Sequence, residues 1–459
     1  MQSRKIFGTD GVRGTANIEP VTAETALKLG RAAAHVFKNL QSQSRGLGKH
    51  KIVIGKDTRL SGYMLENAIS SGVLSMGVDV LLIGPLPTPG VAYVTRSLRA
   101  DAGIVITASH NPYADNGIKF FRADGYKLDD QIEERIEQLV FSGEINTIRP
   151  TADAIGKAMR IDDALGRYIE YAKSSFPRHL TLEGLRLVVD CAHGAAYKST
   201  PCVLSELGAE VIVHGVQPDG TNINRDCGSM HPEHLCQLVR QHQAHLGLAH
   251  DGDADRVLLC DERGELIDGD DIMAIIALEH LAARSLRGKT LVATVMSNAG
   301  LEQVIQKAGG KVLRAPVGDQ NVLAEMIKHN FNVGGEQSGH IILRDHSTTG
   351  DGLVAALQVL RVMKTTGKSL SQLARCWDKF PQILTNLKVR EKKPLEEIAG
   401  LSKLLAQAEA DLKPGGGRIL LRYSGTEPKI RLLLEGPKLP QIKRWDEKIS
   451  ALLKKELGV

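Results

Sequence analysis

The chain alternates short apolar runs with helical patterns, and this alternation constrains its fold more than any other feature. Residues 52–54, 80–83 and 102–106 are apolar runs of strand length, and the segments between them carry apolar residues at helical spacing. The same order recurs from residues 187–189 and again from residues 291–293. Strands that alternate with helices predict parallel or mixed sheets covered by helices, which is an α/β fold.

The chain is long enough that its alternating strands and helices are expected to form several domains. A chain of 459 residues is too long for one core and predicts about three or four domains. We expect three similar α/β sandwich-like domains with mixed sheets and a smaller C-terminal α+β domain that ends in an amphipathic helix. The expected domain boundaries are 1–160, 161–260, 261–372 and 373–459.

Composition excludes several classes of protein. Hydrophobic residues make up 42% of the chain and charged residues 24%, as in ordinary globular proteins. Aromatic residues, at 4%, are too scarce for a platform that stacks nucleic-acid bases, and the +5 net charge is spread without a long basic block. No apolar run approaches the roughly 20 residues that span a bilayer, and the amino terminus lacks a signal-peptide core. We therefore expect a cytoplasmic protein that binds neither nucleic acid nor membranes.

The six cysteines form no recognisable metal or disulfide pattern. Cys227, His231, His234 and Cys236 lie close together in sequence, but their spacing matches no common zinc module. Pro232 also opens a helical pattern through them. Free thiols in a reducing compartment are favoured over a zinc site.

A polar loop directly follows the apolar run 102–106. Residues 107–112 read Thr-Ala-Ser-His-Asn-Pro and place Ser109 at the carboxyl end of the predicted strand, where open α/β sheets carry their chemistry. Pro112 ends any helical continuation and biases Asn111 toward an extended conformation. Taken alone, the motif is equally compatible with an ordinary turn.

Three aspartates at alternate positions form the second motif. Asp251, Asp253 and Asp255 supply hard oxygen ligands suited to Mg²⁺ or Ca²⁺. An EF-hand loop fits poorly, because Arg256 stands where that loop needs a glycine and the flanking residues read as strands. A solvated acidic turn is the other alternative. An arginine beside three aspartates indicates a site that holds both a cation and an anion, which suits phosphate chemistry.

A third loop combines glycines with polar side chains. Residues 335–340 read Gly-Glu-Gln-Ser-Gly-His, in which glycine lets the backbone approach a ligand closely. Glu336 and Ser338 are suited to hydrogen bonds with sugar hydroxyls. A hairpin loop with incidental polar residues is the alternative.

The fourth motif lies near the carboxyl terminus. Residues 422–428 read Arg-Tyr-Ser-Gly-Thr-Glu-Pro, and their backbone N–H groups and hydroxyls fit an anion. Arginines at both sides would complete a cradle for phosphate, which a tight turn does not explain. The expected cradle consists of Arg422, Ser424, Gly425, Thr426 and Arg431.

Together these four loops resemble those of the α-D-phosphohexomutase superfamily, over nearly the whole chain. Further stretches that carry the resemblance are residues 7–14, 116–121, 218–224, 227–228 and 348–352. The most similar branch is bacterial and acts on amino-sugar phosphates. A branch that acts on mannose or glucose phosphates is the alternative, and Gln337 weakly favours the amino sugar.

The resemblance implies an intramolecular phosphotransferase of the isomerase class that interconverts glucosamine 6-phosphate and glucosamine 1-phosphate. Phosphorylated Ser109 would give its phosphoryl group to the sugar phosphate, and the serine would then take back the other phosphate of the bisphosphate. Glucosamine or glucose 1,6-bisphosphate is the expected intermediate and activator, and the enzyme is expected as a monomer or homodimer. A phosphatase, or a non-catalytic paralogue that only binds sugar phosphates, is less favoured, since the serine and all three aspartates are present.

The resemblance also assigns roles to residues. Mg²⁺ would be held by Asp251, Asp253, Asp255 and a phosphoryl oxygen on Ser109. The expected catalytic group is Ser109, His110, Lys119, His340, Arg13 and Arg256. His110 is expected to orient the loop. Lys119, Arg13 and His340 are the candidate bases: neighbouring positive charge can lower a lysine pKa, whereas histidine needs no large shift.

Two features bear on specificity and on motion. Residues 317–321 read Val-Gly-Asp-Gln-Asn, with Gln320 where relatives usually carry a basic residue, so a contact to sugar or phosphate is absent or replaced there. His193 and His250 stand where relatives often carry Asn and Phe. A hinge near residues 380–381 would let the last domain loosen around the turning intermediate.

Overall fold

The computed structural model describes residues 6–8, 10–41, 49–423 and 428–458. The chain divides into two compact units, Met1–Val295 with Leu313–Ala374, and Met296–Val312 with Arg375–Val459. Within the described part of the chain the strands form four sheets. The mixed, helix-covered sheets confirm the predicted α/β fold.

The first sheet carries the Ser109 loop. Its strands are β1 (Phe7–Gly8), β2 (Gly11–Thr15), β3 (Lys51–Lys56), β4 (Asp79–Pro85), β5 (Ala102–Ile106), β6 (Asp115–Arg122) and β7 (Ala158–Arg160). Their order is β1-β2-β6-β5-β3-β4-β7. β5 runs parallel to β3 and antiparallel to β6, so the Ser109 loop connects two neighbouring antiparallel strands.

Helices cover this sheet because their apolar faces pack on its buried strands. They are α1 (Ala23–Gln41), α2 (Ser61–Leu74), α3 (Thr88–Ser97) and α4 (Asp130–Ser142). α1 and α2 cross at glycines: a Cβ on Gly30 would lie 2.4 Å from the Ile69 carbonyl oxygen, and one on Gly72 would lie 2.3 Å from that of Leu27. The crossing therefore depends on residues without a side chain.

The second sheet carries the three aspartates. Its strands are β8 (Arg186–Asp190), β9 (Glu210–His214), β10 (Leu246–His250), β11 (Val257–Asp261) and β12 (Leu266–Ile267), in the order β12-β11-β10-β8-β9. Its helices are α5 (Ala164–Ser174), α6 (Ser199–Glu206) and α7 (Pro232–Gln241). β10 and β11 form an antiparallel hairpin around residues 251–256. Strands on both sides of this loop rule out the EF-hand alternative.

The third sheet has the order β14-β13-β15-β16. Its strands are β13 (Thr290–Thr294), β14 (Lys311–Ala315), β15 (Val333–Gly335) and β16 (Ile341–Leu343). The helices of this part of the chain are α8 (Gly269–Ala282), α9 (Ala299–Lys307), α10 (Asp319–Lys328), α11 (Gly352–Thr366) and α12 (Leu370–Ala374). Asp351 caps α11 by accepting a hydrogen bond from the Val354 N–H at 3.0 Å.

The C-terminal part is a three-stranded antiparallel sheet covered by helices. It contains β17 (Gln382–Lys388), β18 (Arg418–Tyr423), β19 (Lys429–Glu435), α13 (Leu401–Leu412) and α14 (Leu439–Leu457), with the sheet order β17-β19-β18. Ile442, Trp445 and Ile449 of α14 are buried, as their helical spacing predicts. β17 was not predicted, because its polar residues interrupt the apolar pattern.

None of the helices in the described ranges combines the length and the apolar character that crossing a membrane requires.

Candidate active site

Ser109 occupies a tightly fixed loop after β5. Its φ of 52° lies in the left-handed region, which a residue other than glycine adopts at a cost in backbone energy. Its N–H donates to Thr107 Oγ1 at 2.9 Å, and that hydroxyl donates to Asp57 Oδ2 at 2.7 Å. These bonds hold the loop in its strained conformation.

The carbonyl groups of the Ser109 loop converge on one buried cation. Arg59 is fully buried and donates to the carbonyl oxygens of Ser109 at 2.9 Å, Asn111 at 2.8 Å and Asp115 at 3.0 Å, and also to that of Pro112. Four carbonyl groups held by one guanidinium leave the loop little freedom.

Two further residues complete this support, and sequence reasoning missed both of them and Arg59. Asp57 Oδ2 accepts from Arg59 Nε at 2.8 Å. Asn224 Nδ2 donates to the Ser109 carbonyl oxygen at 2.8 Å. Asp57 and Arg59 directly follow β3, at the same sheet edge as Ser109. This position after a predicted strand could have identified them as candidate site residues.

The Ser109 hydroxyl points at the aspartates. Its Oγ donates to Asp251 Oδ2 at 2.6 Å, and the residue is 2% exposed. His110 Nδ1 lies 3.3 Å from the same oxygen. Burial lowers the pKa of His110 to about 4, so its ring is neutral at neutral pH. A neutral imidazole there can orient the hydroxyl by a hydrogen bond.

The three aspartates offer a site for a hard cation. Carboxylate oxygens of Asp251, Asp253 and Asp255 lie within 4.8 Å of one another, and all three residues are buried. In the ranges that the structure describes, Oδ1 of Asp253 and Oδ1 of Asp255 are buried without a hydrogen-bond partner. Buried carboxylate oxygens without partners are costly, and an oxygen-only donor set suits Mg²⁺. The residues present therefore fit the expected ion.

Among the described residues, no other group of three or more His, Cys, Asp or Glu side chains is arranged to hold a metal ion. Residues 227–236 therefore contribute no such group.

Electrostatics differ among the aspartates. Burial raises the pKa of Asp251 well above its usual range, and the charges of Asp255 and Asp253 add to that rise. Burial alone would also raise the pKa of Asp255, but His340 and Lys119 outweigh it and lower that pKa. The Asp251 carboxyl thus depends most on an added cation to stay charged.

Lys119 lies among carboxylates. Its Nζ is 2.9 Å from Asp10 Oδ2, 3.0 Å from Asp253 Oδ2 and 3.7 Å from Asp255 Oδ2. Burial alone would lower the pKa of Lys119, but these three carboxylates raise it above its ordinary value. These carboxylates therefore favour the charged form of Lys119.

His340 faces the aspartates from the third sheet. Its Nδ1 is 3.5 Å from Asp255 Oδ2, and its Nε2 is 3.5 Å from Asp319 Oδ2. The Gly350 N–H donates to Nε2 at 3.2 Å, and a Cβ on Gly350 would lie 2.4 Å from that nitrogen. Burial alone would lower the pKa of His340, but Asp255 and Asp319 raise it.

Asp10, Lys127 and Asp319 join this cluster and were not predicted as site residues. Lys127 Nζ lies 2.6 Å from Asp10 Oδ1 and also pairs with Asp319. Asp10 belongs to residues 7–14, one of the stretches that resemble the family. Asp319 stands beside Gln320 in residues 317–321, where the chain differs from most relatives. Lys127 follows β6 in a segment without a recognisable motif.

The remaining predicted residues of the first unit surround this cluster. Arg13 Nη2 pairs with Asp10 Oδ2 at 3.1 Å, and Arg256 Nε lies 3.9 Å from Asp255 Oδ1. Glu336 Oε1 accepts from the Gly318 N–H at 3.0 Å, whereas the Ser338 side chain is exposed. The Ser338 loop contacts the aspartate hairpin, because the Val257 N–H donates to the Gly339 carbonyl oxygen at 3.1 Å.

His193 and His250, which stand where relatives often carry Asn and Phe, stabilise backbone segments through their rings. His250 is fully buried, with Nε2 3.0 Å from Thr200 Oγ1 and Nδ1 3.0 Å from the Arg256 carbonyl oxygen. His193 Nδ1 accepts from the Gln217 N–H at 3.2 Å. His250 therefore fixes the backbone of the aspartate loop at Arg256, and His193 fixes the backbone at Gln217.

The predicted phosphate cradle belongs to the second unit. Arg422 of β18 stands directly opposite Arg431 of β19 in the sheet register. Burial lowers the pKa of Arg422, and the neighbouring charge of Arg431 lowers it further. Ser424, Gly425 and Thr426 lie outside the described residues.

This chain is similar to known proteins over nearly its whole length. Residues 4–146, 166–264 and 268–380 match the families of phosphoglucomutase/phosphomannomutase alpha/beta/alpha domains I, II and III, and residues 384–452 match the family of the C-terminal domain. The phosphoglucosamine mutase of Geobacter metallireducens is 56% identical over 455 residues, covering 99% of both chains. That of Anaeromyxobacter dehalogenans is 56% identical over 464 residues, covering 99% of this chain and 100% of the relative.

A solved structure shows the same architecture. A phosphoglucomutase/phosphomannomutase family protein from Burkholderia thailandensis is 25% identical and has a TM-score of 0.79. The alignment covers 99% of this chain and 98% of that chain.

Proposed function

The chain belongs to the phosphoglucomutase/phosphomannomutase family, and we propose that it acts there as a phosphoglucosamine mutase. It interconverts glucosamine 6-phosphate and glucosamine 1-phosphate as an intramolecular phosphotransferase of the isomerase class. Relatives that are 56% identical over almost the entire chain and bear this name support the choice of substrate. The alternative, preference for glucose or mannose phosphates, is decided by kinetics.

One observation carries the mechanism: a buried serine hydroxyl donates to Asp251 at 2.6 Å, inside a cluster of three carboxylates. A phosphoserine carries nearly two negative charges, so the aspartates alone would repel it. Mg²⁺ bound by Asp251, Asp253 and Asp255 with a phosphoryl oxygen on Ser109 supplies the positive charge that offsets this repulsion.

Fixed cations of the protein hold the transferring phosphoryl group. Carboxylates raise the pKa of Lys119 and of Arg256 despite burial, which favours the charged form of both side chains. Preorganised charges of this kind stabilise a transition state without rearranging at the moment of reaction. Arg13, held by Asp10 at 3.1 Å, extends the positive field.

His340 is the best-placed group for moving the proton of the attacking sugar hydroxyl. Carboxylates favour the charged form of Lys119, and arginine keeps its proton in proteins, so the imidazole is favoured among the three candidate bases. Asp255 and Asp319 contact opposite ring nitrogens and would orient the ring for this exchange. The neutral ring of His110 orients the Ser109 hydroxyl.

Glu336 and Ser338 would bind sugar hydroxyls, and the cradle of Arg422, Ser424, Gly425, Thr426 and Arg431 would bind the phosphate that does not react. A hinge at the start of the second unit would let the cradle release and recapture the turning bisphosphate. Phe380 exchanges two hydrogen bonds with Asn298 inside that unit, at 2.9 and 3.0 Å. The hinge near residues 380–381 stays a prediction.

Several sequence predictions stay predictions. They are the domain boundaries at residues 160, 260 and 372, the cytoplasmic location, the monomeric or homodimeric state, and activation by glucosamine or glucose 1,6-bisphosphate.

A coupled assay across the phosphates of glucosamine, N-acetylglucosamine, glucose and mannose tests the proposed function. We expect the highest kcat/KM for glucosamine 6-phosphate and little inorganic phosphate. A higher kcat/KM for glucose or mannose phosphates would favour the alternative branch, and rapid release of inorganic phosphate would indicate a phosphatase.

A further inference from the structure

The charged side chains around Ser109 close into a ring of alternating sign. In order around it stand Asp255, His340, Asp319, Lys127, Asp10 and Lys119, and the last returns to Asp255. Five neighbouring pairs lie 3.5, 3.5, 2.6, 2.9 and 3.7 Å apart, and Lys127 forms a direct ion pair with Asp319 that closes the ring. Lys119 and Lys127 each touch two carboxylates, and the two ring nitrogens of His340 lie against Asp255 and Asp319.

The ring spans the three α/β sheets of the first unit. Asp10 and Lys119 belong to the first sheet region, Asp255 follows β10 in the second, and Asp319 and His340 flank strands of the third. Its near half contains Lys119, Asp255 and His340, which the proposed mechanism uses directly. The far half contains Asp10, Lys127 and Asp319. The proposed mechanism uses Asp319 only as a partner that orients His340, and Asp10 only as a partner that holds Arg13.

The far half fixes the near half in space. Asp10 holds Lys119 at 2.9 Å, Asp319 holds His340 at 3.5 Å, and Lys127 is the single cation between those two carboxylates. Lys127 is 9% exposed, so its charge acts with little solvent screening. Without it, Asp10 and Asp319 would repel each other and pull their other partners, Lys119 and His340, out of place.

We propose that Lys127, with Asp10 and Asp319, forms a positioning set that fixes the distance between Lys119 and His340 during phosphoryl transfer. This inference rests on the proposed function. It locates the positioning in a contact between the first and third sheet regions, more than 190 residues apart in sequence. The set acts through its contacts with Lys119 and His340, which the proposed mechanism uses directly.

The test compares Lys127→Met, Lys127→Arg and Asp319→Asn with the wild type, using the full chain loaded with Mg²⁺. Misplacing reacting groups by about 1 Å costs on the order of a hundredfold. We expect Lys127→Met and Asp319→Asn to lower kcat roughly tenfold to a hundredfold with KM changed less than about threefold. Lys127→Arg keeps the cation and should recover most of kcat.

A double variant separates positioning from a general loss of stability. If both residues act through one set, Lys127→Met with Asp319→Asn should lower kcat little further than either change alone, since neighbours in one network are not additive. Glu279→Gln is the matched control, because it breaks the partly buried Arg361 pair at 2.6 Å outside the ring. This control should lower the thermal midpoint but leave kcat unchanged.

The outcomes are distinct. Wild-type turnover of glucosamine 6-phosphate in the same assay establishes the proposed function independently. Given that turnover, wild-type kcat in folded Lys127→Met and Asp319→Asn, or losses that simply multiply in the double variant, would overturn the positioning set alone. Should Lys127→Met not fold, the isosteric Asp319→Asn and the rescue variant Lys127→Arg decide the question.

Discussion

Lys119 and Arg422 belong to the two regions where this chain gathers positive charge, and their surroundings differ in kind. Lys119 contacts three carboxylates, with Asp10 at 2.9 Å and Asp253 at 3.0 Å. Arg422 instead stands beside a second cation, Arg431, and its Nε has no hydrogen-bond partner in the described part of the chain. The pKa shifts follow, since carboxylates raise the pKa of Lys119, whereas burial and Arg431 lower that of Arg422.

This difference indicates that the Lys119 region takes part in phosphoryl transfer and that the Arg422 region binds a phosphate group. A cation surrounded by carboxylates is already fixed before substrate arrives, which suits a group that stabilises a transition state. Two neighbouring arginines repel each other until an anion binds between them, which suits a group that holds a phosphate. We therefore expect changes in the first region to lower kcat and changes in the second to weaken substrate retention.

Ser109→Ala should give the largest effect and abolish mutase turnover. The change removes the oxygen that carries the phosphoryl group and leaves the Arg59 contacts to the loop backbone intact. Steady-state assay and intact-mass analysis check it, the wild type showing phosphate on the peptide that contains Ser109. Ser402→Ala, at an exposed position of α13, is the control and should turn over normally. Normal turnover by Ser109→Ala would refute the phosphoserine mechanism.

Asp253→Asn should lower kcat by orders of magnitude and weaken Mg²⁺ binding. It neutralises one of three carboxylate ligands and also an acceptor of Lys119 at 3.0 Å. Calorimetric titration of Mg²⁺ together with kcat measures both losses, and the exposed Asp153→Asn serves as the control. If Zn²⁺ or Ca²⁺ supports the wild type better than Mg²⁺, the assignment of the ion is wrong.

Arg422→Ala tests the second region and should have a smaller effect. Losing a charge-assisted contact of roughly 1.5–3 kcal/mol predicts a fall in kcat/KM of about tenfold to a hundredfold. Free glucosamine 1,6-bisphosphate should also accumulate in solution, because the turning intermediate is held less well. Lys443→Ala, which removes an exposed cation of α14 in the same unit, is the control. Unchanged kcat/KM without leaked bisphosphate would place the cradle elsewhere.

Asp351 is a third case to compare with Lys119 and Arg422. This buried carboxylate has no ion-pair partner among the described residues. Burial raises its pKa to about 6, while the Val354 N–H and the Tyr168 hydroxyl donate to it. Because the pKa of Asp351 is raised in the folded protein, folding favours the protonated carboxyl. The stability that this side chain contributes is fully present below pH ~4 and is lost as the pH rises past about 6.

Asp351→Asn keeps a side chain suited to capping α11 and removes the buried charge. The variant should gain up to about 2–3 kcal/mol over the wild type at pH 7.5, and the gain should shrink as pH falls from 6 to 4. Thermal midpoints measured at several pH values check this. A stability difference that does not vary with pH would show that the carboxylate is compensated in the fold.

Local patterns predicted the strands and the loops that follow them, because period and composition are properties of neighbouring residues. The supports of the site escaped prediction because their partners are distant in sequence. Arg59 serves a loop about 50 residues away, and Lys127 meets Asp319 across 192 residues. Lys119 was predicted as a site residue, but the sign of its pKa shift was not, since Asp10 and Asp253 are brought to it only by folding.

The central claim is that one phosphoryl group leaves Ser109 for the sugar while a different one returns. Enzyme carrying a radioactive phosphate on Ser109, mixed with unlabelled glucosamine 6-phosphate for a single turnover, measures this directly. We predict label first in glucosamine 1,6-bisphosphate and then in glucosamine 1-phosphate, while Ser109 becomes phosphorylated with unlabelled phosphate from the 6-position. Label that stays on the enzyme while product forms, or that appears as inorganic phosphate, would contradict the account.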